Sequence, residues 1–192
     1  MPEQHHKPLR HGSTIIVYSP DTKHSRNHHD FGKGFYTTNN ERMAVEWART
    51  KMEKRNTLEG VVNIYEAPVI PADFKVKKFT RMDEEWLDFI YKNRNLIGYS
   101  HGYDIVIGPT ADLDINTIVR DYEFALKWND DPDKIQKIKQ ETLKLLRSKQ
   151  VGTQISFHTE RATSLLRFLR YKPVISNTPP PPQKGIKYGP KR

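Results

Sequence analysis

Short runs rich in β-branched and aromatic residues stand at 14–18, 61–67, 103–107 and 154–158, and each reads as a strand. A weaker strand pattern covers 76–79. The helical patterns between them fall at uneven intervals, and this unevenness restricts the fold more than any other feature. A doubly wound parallel sheet needs strands and helices in regular alternation, with strands apolar on both faces. Several of these strands are too polar for that, and no Gly-x-Gly-x-x-Gly turn follows any of them. The pattern predicts a single mixed α+β domain with a split or two-layer sheet and flanking helices.

Five helices are expected. The first begins at Thr38, where Thr38-Asn39-Asn40-Glu41 has capping-box spacing, and turns Met43, Ala44, Trp47, Ala48 and Met52 inward. The second spans about 83–93. The third carries Ile115, Ile118, Val119, Tyr122 and Leu126 in helical register. The fourth starts at Asp131-Pro132, a cap followed by a first-turn proline, with Ile135, Ile138, Leu145 and Leu146 inward. The fifth starts at Thr159, with Ala162, Leu165, Leu166 and Leu169 inward. Gly108-Pro109 reads as a turn.

Residues 1–170 form the expected domain. Residues 171–192 include Pro179 to Pro182 and end Gly-Pro-Lys-Arg, so this basic, proline-rich tail is expected to be extended or disordered. Of the chain's formal charge of +9, five units sit in the tail, on Lys172, Lys184, Lys187, Lys191 and Arg192. The body is therefore only mildly basic. The chain has no cysteine, which removes disulfides and thiolate chemistry and suits a reducing, cytoplasmic setting. No apolar run approaches the length of a membrane span, and a membrane partner is not expected. His24, His28, His29 and Asp30 lack metal-ligand spacing and read as a solvated loop.

The segment that points to chemistry joins His11-Gly12-Ser13 to the loop Asp30-Phe31-Gly32-Lys33-Gly34-Phe35-Tyr36, with Trp47 eleven residues beyond Tyr36. A His and a Ser supply hydrogen-bonding groups, glycines let backbone approach a ligand, and two aromatic rings can flank a flat one. Together they suggest a pocket for a nicotinamide dinucleotide.

These motifs and their spacing resemble those of the diphtheria-toxin-like ADP-ribosyltransferases, the group that includes the poly-ADP-ribose polymerases. The match is confined to the motif positions. Over about 9–170 the chain resembles more closely a bacterial family of uncharacterised proteins often found beside small partner genes. That family shares the motifs at 11–13, 25–26, 30–36, 103–112 and 154–159.

The resemblance implies a split mixed sheet of the ADP-ribosyltransferase kind, with NAD as substrate and no metal. It implies that His11 hydrogen-bonds the adenosine ribose, and that the Gly12 backbone and Ser13 hydroxyl hold the nicotinamide carboxamide. Tyr36 and Trp47 would sandwich the nicotinamide ring, Gly32 and Gly34 would permit the turn that brings Tyr36 to it, and Arg26 would reach a phosphate. It also implies a toxin or phage-defence effector restrained by a small cognate antitoxin. The acceptor of ADP-ribose would be a macromolecule, with nucleic acid favoured slightly over protein by the basic charge.

The departure lies at the third catalytic position. Where the polymerase-like pattern has a Glu at the start of a late strand, this chain has Gln154. A Gln can bond a ribose hydroxyl but carries no charge to stabilise an oxocarbenium ion. Gln154 ranks first for the slot, with Asp104, Asp112 and Glu160 as alternative carboxylates. Two other readings stay open: a non-catalytic module that binds NAD or ADP-ribose, and a basic nucleic-acid-binding protein.

Overall fold

The computed structural model describes residues 7–25, 29–111 and 115–176. Among them lie seven strands, β1 (Leu9–Ser13), β2 (Phe35–Thr38), β3 (Glu59–Tyr65), β4 (Val76–Lys78), β5 (Ile105–Ala111), β6 (Gln150–Phe157) and β7 (Phe168–Ile175). The five helices are α1 (Glu41–Arg55), α2 (Glu84–Asn95), α3 (Ile115–Lys127), α4 (Pro132–Arg147) and α5 (Glu160–Thr163). The strands form one mixed sheet in the order β4-β5-β6-β2-β1-β3-β7, in which only β4 and β5 run parallel. The expected mixed α+β class holds.

The sheet is unevenly stitched. β1 pairs with β3 along its whole length, from Leu9↔Tyr65 to Ser13↔Val61, and β2 pairs with β6 from Phe35↔Phe157 to Thr38↔Gln154. Between β1 and β2, among the described residues, the register holds one pair, Arg10↔Thr38. Beyond that pair the two strands part, and a seam opens in mid-sheet.

Side chains paired across a ladder share a face. One face carries Gly12 and Val62 under α1, and Tyr36 and Val106 under α2, α3 and α4. The other carries Leu9, Phe35, Tyr65, Ile105 and Phe157, covered by α5 and the loops around Val17 and Phe74. Gly12 is where α1 meets the sheet: a Cβ there would collide with the Ala44 carbonyl and lie 2.6 Å from the Ala48 nitrogen.

Several expected boundaries shift. The first strand lies at Leu9–Ser13, ahead of the β-branched run at 14–18. In that run Ile15 and Tyr18 are exposed, and the segment is tied down by Asn63, whose side chain accepts from the Val17 amide and donates to the Ile15 carbonyl. Thr38 ends β2 instead of capping α1, its hydroxyl donating to the Thr153 carbonyl. Asn40 is the cap and accepts from the Met43 amide. Asp83 and Asp131 cap α2 and α4, the latter with Pro132 in the first turn as expected.

In α4 it is Leu143, with Leu146, that is buried, and Leu145 faces out. The expected fifth helix shrinks to one turn, and Leu169 belongs to β7. Gly108 and Pro109 continue β5 opposite Gln154 and Thr153. The proline is accommodated because β4 ends opposite Ile107, so Pro109 owes that side no ladder hydrogen bond. Its carbonyl accepts from the Trp86 indole at 3.2 Å. The sheet also continues past residue 170, since β7 runs to Ile175. Its edge position leaves most of its residues exposed, so it lacks the apolar alternation that marks a half-buried strand. Residues 177–192 of the expected tail lie outside the described residues.

Candidate functional site

The residues singled out by the motifs gather around the seam. His11 sits on β1, stacked on Phe35 with ring centroids 4.3 Å apart. Its Nδ1 donates to the Tyr36 carbonyl at 2.6 Å, bridging the parted strands. A carbonyl only accepts, so Nδ1 carries the proton and Nε2 is left to accept from the Lys51 ammonium at 3.1 Å. Burial, and then the Lys51 charge, push the His11 pKa down to about 3, so the imidazole is neutral. Lys51 also donates to the Gly12 carbonyl at 2.6 Å. It extends from α1, on the Gly12 face, to a histidine on the opposite face, beside the parted strands.

Tyr36 leaves β2 on the Gly12 face. Its hydroxyl donates to the Gly32 carbonyl at 2.7 Å and accepts from the Phe31 amide at 3.0 Å. Burial, reinforced by the nearby Asp30 charge, raises its pKa well above the usual tyrosine value. Its ring neighbours include His29 at 5.1 Å and His158 at 6.2 Å. Trp47, half-buried on α1, has its Cβ 3.0 Å from where a Gly12 Cβ would stand. Trp47 and Tyr36 thus belong to the same face. Ser13 is buried at the end of β1, on the His11 face, where its hydroxyl accepts from the Ile15 amide at 3.4 Å.

The loop between Asp30 and Gly34 is clamped at every residue. Gly32 takes φ +82°, a backbone conformation that favours glycine. His101 donates from Nε2 to the Phe31 carbonyl at 3.0 Å, and His158 donates from Nδ1 to the Lys33 carbonyl at 2.8 Å. The Gly34 amide donates to the Ser25 hydroxyl at 3.1 Å. Burial lowers the pKa of both histidines, that of His158 to about 4.

Asp30 is buried, and its Oδ1 accepts from the Arg94 Nε at 2.8 Å and from a second Arg94 nitrogen. Its Oδ2 accepts from the Gln154 amide nitrogen at 3.0 Å. Asp30 is therefore no part of a solvated loop, although His24, six residues earlier, is exposed and paired with Asp21, and His28 lies outside the described residues. Among the described residues no group of three His, Asp or Glu side chains could hold a metal ion.

Two of the alternative carboxylates, Asp104 and Glu160, are engaged elsewhere. Asp104 accepts from the Lys75 amide at 2.9 Å and the Thr159 hydroxyl at 2.7 Å, with Arg161 3.4 Å away. Burial acts to raise its pKa, but these partners outweigh burial and leave it lowered. Glu160 is exposed in α5 and accepts from the Thr22 hydroxyl. Asp112 and Arg26 lie outside the described residues. Gln154 is buried on the Tyr36 face, level with Thr38 in β2.

The family profile described as a protein of unknown function, DUF3990, matches residues 8–168. The chain belongs to the DUF3990 family. The region matched by DUF3990 begins just before β1, takes in the seam, the clamped loop and Gln154, and ends on the first residue of β7. None of the curated proteins matches this DUF3990 chain in sequence.

Lys51, Arg94 and His101 were not expected at the site, and Asp30 and His158 stood in the motif segments without an assigned role. Lys51 stands one helical turn beyond Trp47, a spacing that puts both on one side of α1. Arg94 and His101 carry no comparable signal, because the fold alone brings them to the loop.

Proposed function

We propose that this chain is an NAD-dependent ADP-ribosyltransferase. One observation carries the reading: the two motif segments converge where, among the described residues, β1 and β2 part. There His11 bridges to the Tyr36 backbone at 2.6 Å, with Gly12 beneath Trp47. In this reading NAD lies along the seam. The bond between the ribose C1′ and the nicotinamide nitrogen breaks, and its electron pair leaves with nicotinamide. The oxocarbenium ion at C1′ is captured by a nucleophile on a macromolecular acceptor, which loses its proton to water. His11, held neutral with both ring nitrogens engaged by Tyr36 and Lys51, fixes the shape of the seam, and Tyr36 and Trp47, on one face of the sheet, supply aromatic rings for a flat leaving group. The toxin or defence role, and a small antitoxin partner, rest on the family resemblance.

A second reading is favoured by Gln154, which carries no charge at the catalytic slot: a module that binds NAD or ADP-ribose without cleaving it. One experiment separates the two. The protein is incubated with adenylate-labelled NAD and a bacterial lysate, with His11→Ala as control, and the products are digested with nuclease or protease. Label carried into macromolecules by the unsubstituted protein alone supports the transferase, and the digestion that frees it names the acceptor class. A thermal shift with NAD but no transfer supports the binding module. Neither signal overturns both.

A further inference from the structure

The third catalytic slot holds an amide, but not an isolated one. Gln154 Nε2 donates to Asp30 Oδ2 at 3.0 Å, across 124 residues of sequence, and both side chains are buried. A carboxylate oxygen accepts and cannot donate, so the amide has one admissible orientation: nitrogen toward Asp30, Oε1 on the other branch. Asp30 is itself fixed, because Arg94, from the last turn of α2, binds its Oδ1 and leaves Oδ2 for Gln154. An amide that donates to an anion gains electron density on its oxygen, which makes that oxygen a stronger acceptor.

We infer that Asp30 is a positioning residue: anchored by Arg94, it orients and polarises Gln154 so that Oε1 accepts a hydroxyl of the NAD ribose. The role of one catalytic carboxylate is thereby divided between two residues, one supplying the charge and the other the contact. This inference rests on the reading of the site as an ADP-ribosyltransferase.

The test compares nicotinamide release by the unsubstituted protein, Asp30→Asn and Asp30→Glu. In Asp30→Asn the partner of Gln154 becomes an amide that both donates and accepts, so the orientation of Gln154 is no longer dictated. We expect kcat to fall about tenfold or more, as for loss of a hydrogen bond to a charged group, while KM for NAD stays within about twofold. Asp30→Glu is expected to recover part of kcat. A purely structural role would lower the melting temperature and the active fraction but leave kcat unchanged when it is referred to the folded, NAD-binding fraction. An active protein in which Asp30→Asn keeps the original kcat overturns the inference and leaves the reading of the site intact. An unsubstituted protein that releases no nicotinamide overturns the reading, and the inference falls with it.

If Asp30→Asn does not fold, the unsubstituted protein still decides. In its ¹⁵N-labelled form, one Gln154 side-chain amide proton should be shifted downfield and protected from solvent exchange. Both protons at ordinary positions and exchanging freely would overturn the inference.

Discussion

His11 donates to the carbonyl of Tyr36 at 2.6 Å, across the gap where β1 and β2 separate, and accepts from Lys51 on its other nitrogen. This arrangement fits only a neutral ring. His11 is therefore expected to stay unprotonated down to about pH 3 and His158 to about pH 4, both below the ordinary value of 6.5. Within that window the unfolded chain binds protons that the folded chain refuses. The stability from both residues is thus complete above pH 6.5 and declines as pH falls toward 4. Urea unfolding at pH 7.5 and pH 5 reads the decline, and ring-proton titration identifies the residues. A His11 that titrates near 6.5 contradicts the bridge.

Tyr36→Phe keeps the ring but removes the hydroxyl that holds Gly32 and Phe31. It should cost about 1–3 kcal/mol, the range for a buried hydrogen-bonding group lost from one side. Exchange of the Phe31 amide should accelerate, while nicotinamide release persists. Tyr36→Ala removes the ring as well and should abolish release. A fully active Tyr36→Ala would remove Tyr36 from the site.

Gly12→Ala drives a methyl group into the backbone of α1 at Ala44 and Ala48. Backbone cannot rotate aside as a flexible side chain can, so a loss of about 3 kcal/mol or more is expected. Chemical denaturation measures it. A small loss would mean that α1 can move away from β1 at little cost.

Gln154→Glu places a second carboxylate beside Asp30, so a gain in activity is not expected. Two neighbouring carboxylates share a proton, and one of them is held protonated above its unfolded pKa. Relative to the unsubstituted protein, the variant should be least perturbed near pH 4 and lose stability as pH rises toward neutrality. Melting curves at pH 5 and pH 8 test the sign. Equal stability at both would separate Asp30 from Gln154.

A chain ending at residue 170 keeps only the first part of β7 and loses buried Val174. It should melt lower than a chain ending at residue 176. Identical melting curves would make that part of β7 dispensable.

The sequence announced what local chemistry dictates and missed what distant packing dictates. Asp131 was readable as a cap because a cap acts within three residues of itself. Thr14–Tyr18 looked like a strand because β-branched residues favour one, yet Leu9–Ser13 took the ladder because its partners lie on β3. The His-Gly-Ser and Gly-Lys-Gly-Phe-Tyr segments were legible through their spacing. The clamp around them was not, since Arg94, His101 and Gln154 reach the loop from 60 or more residues away. Leu145 and Leu143 show the limit within one helix: both are apolar, and the angle at which α4 packs decides which one is buried.

The single Arg10↔Thr38 rung also bears on how the molecule moves. Separating β1 from β2 breaks that rung and the His11 bridge, whereas separating any other neighbouring strands breaks at least three register pairs. The trio β1, β3 and β7 and the quartet β4, β5, β6 and β2 can therefore behave as two cooperative units, with native-state amide exchange dividing along this line. Breathing at that line would admit a ligand between the units without melting either.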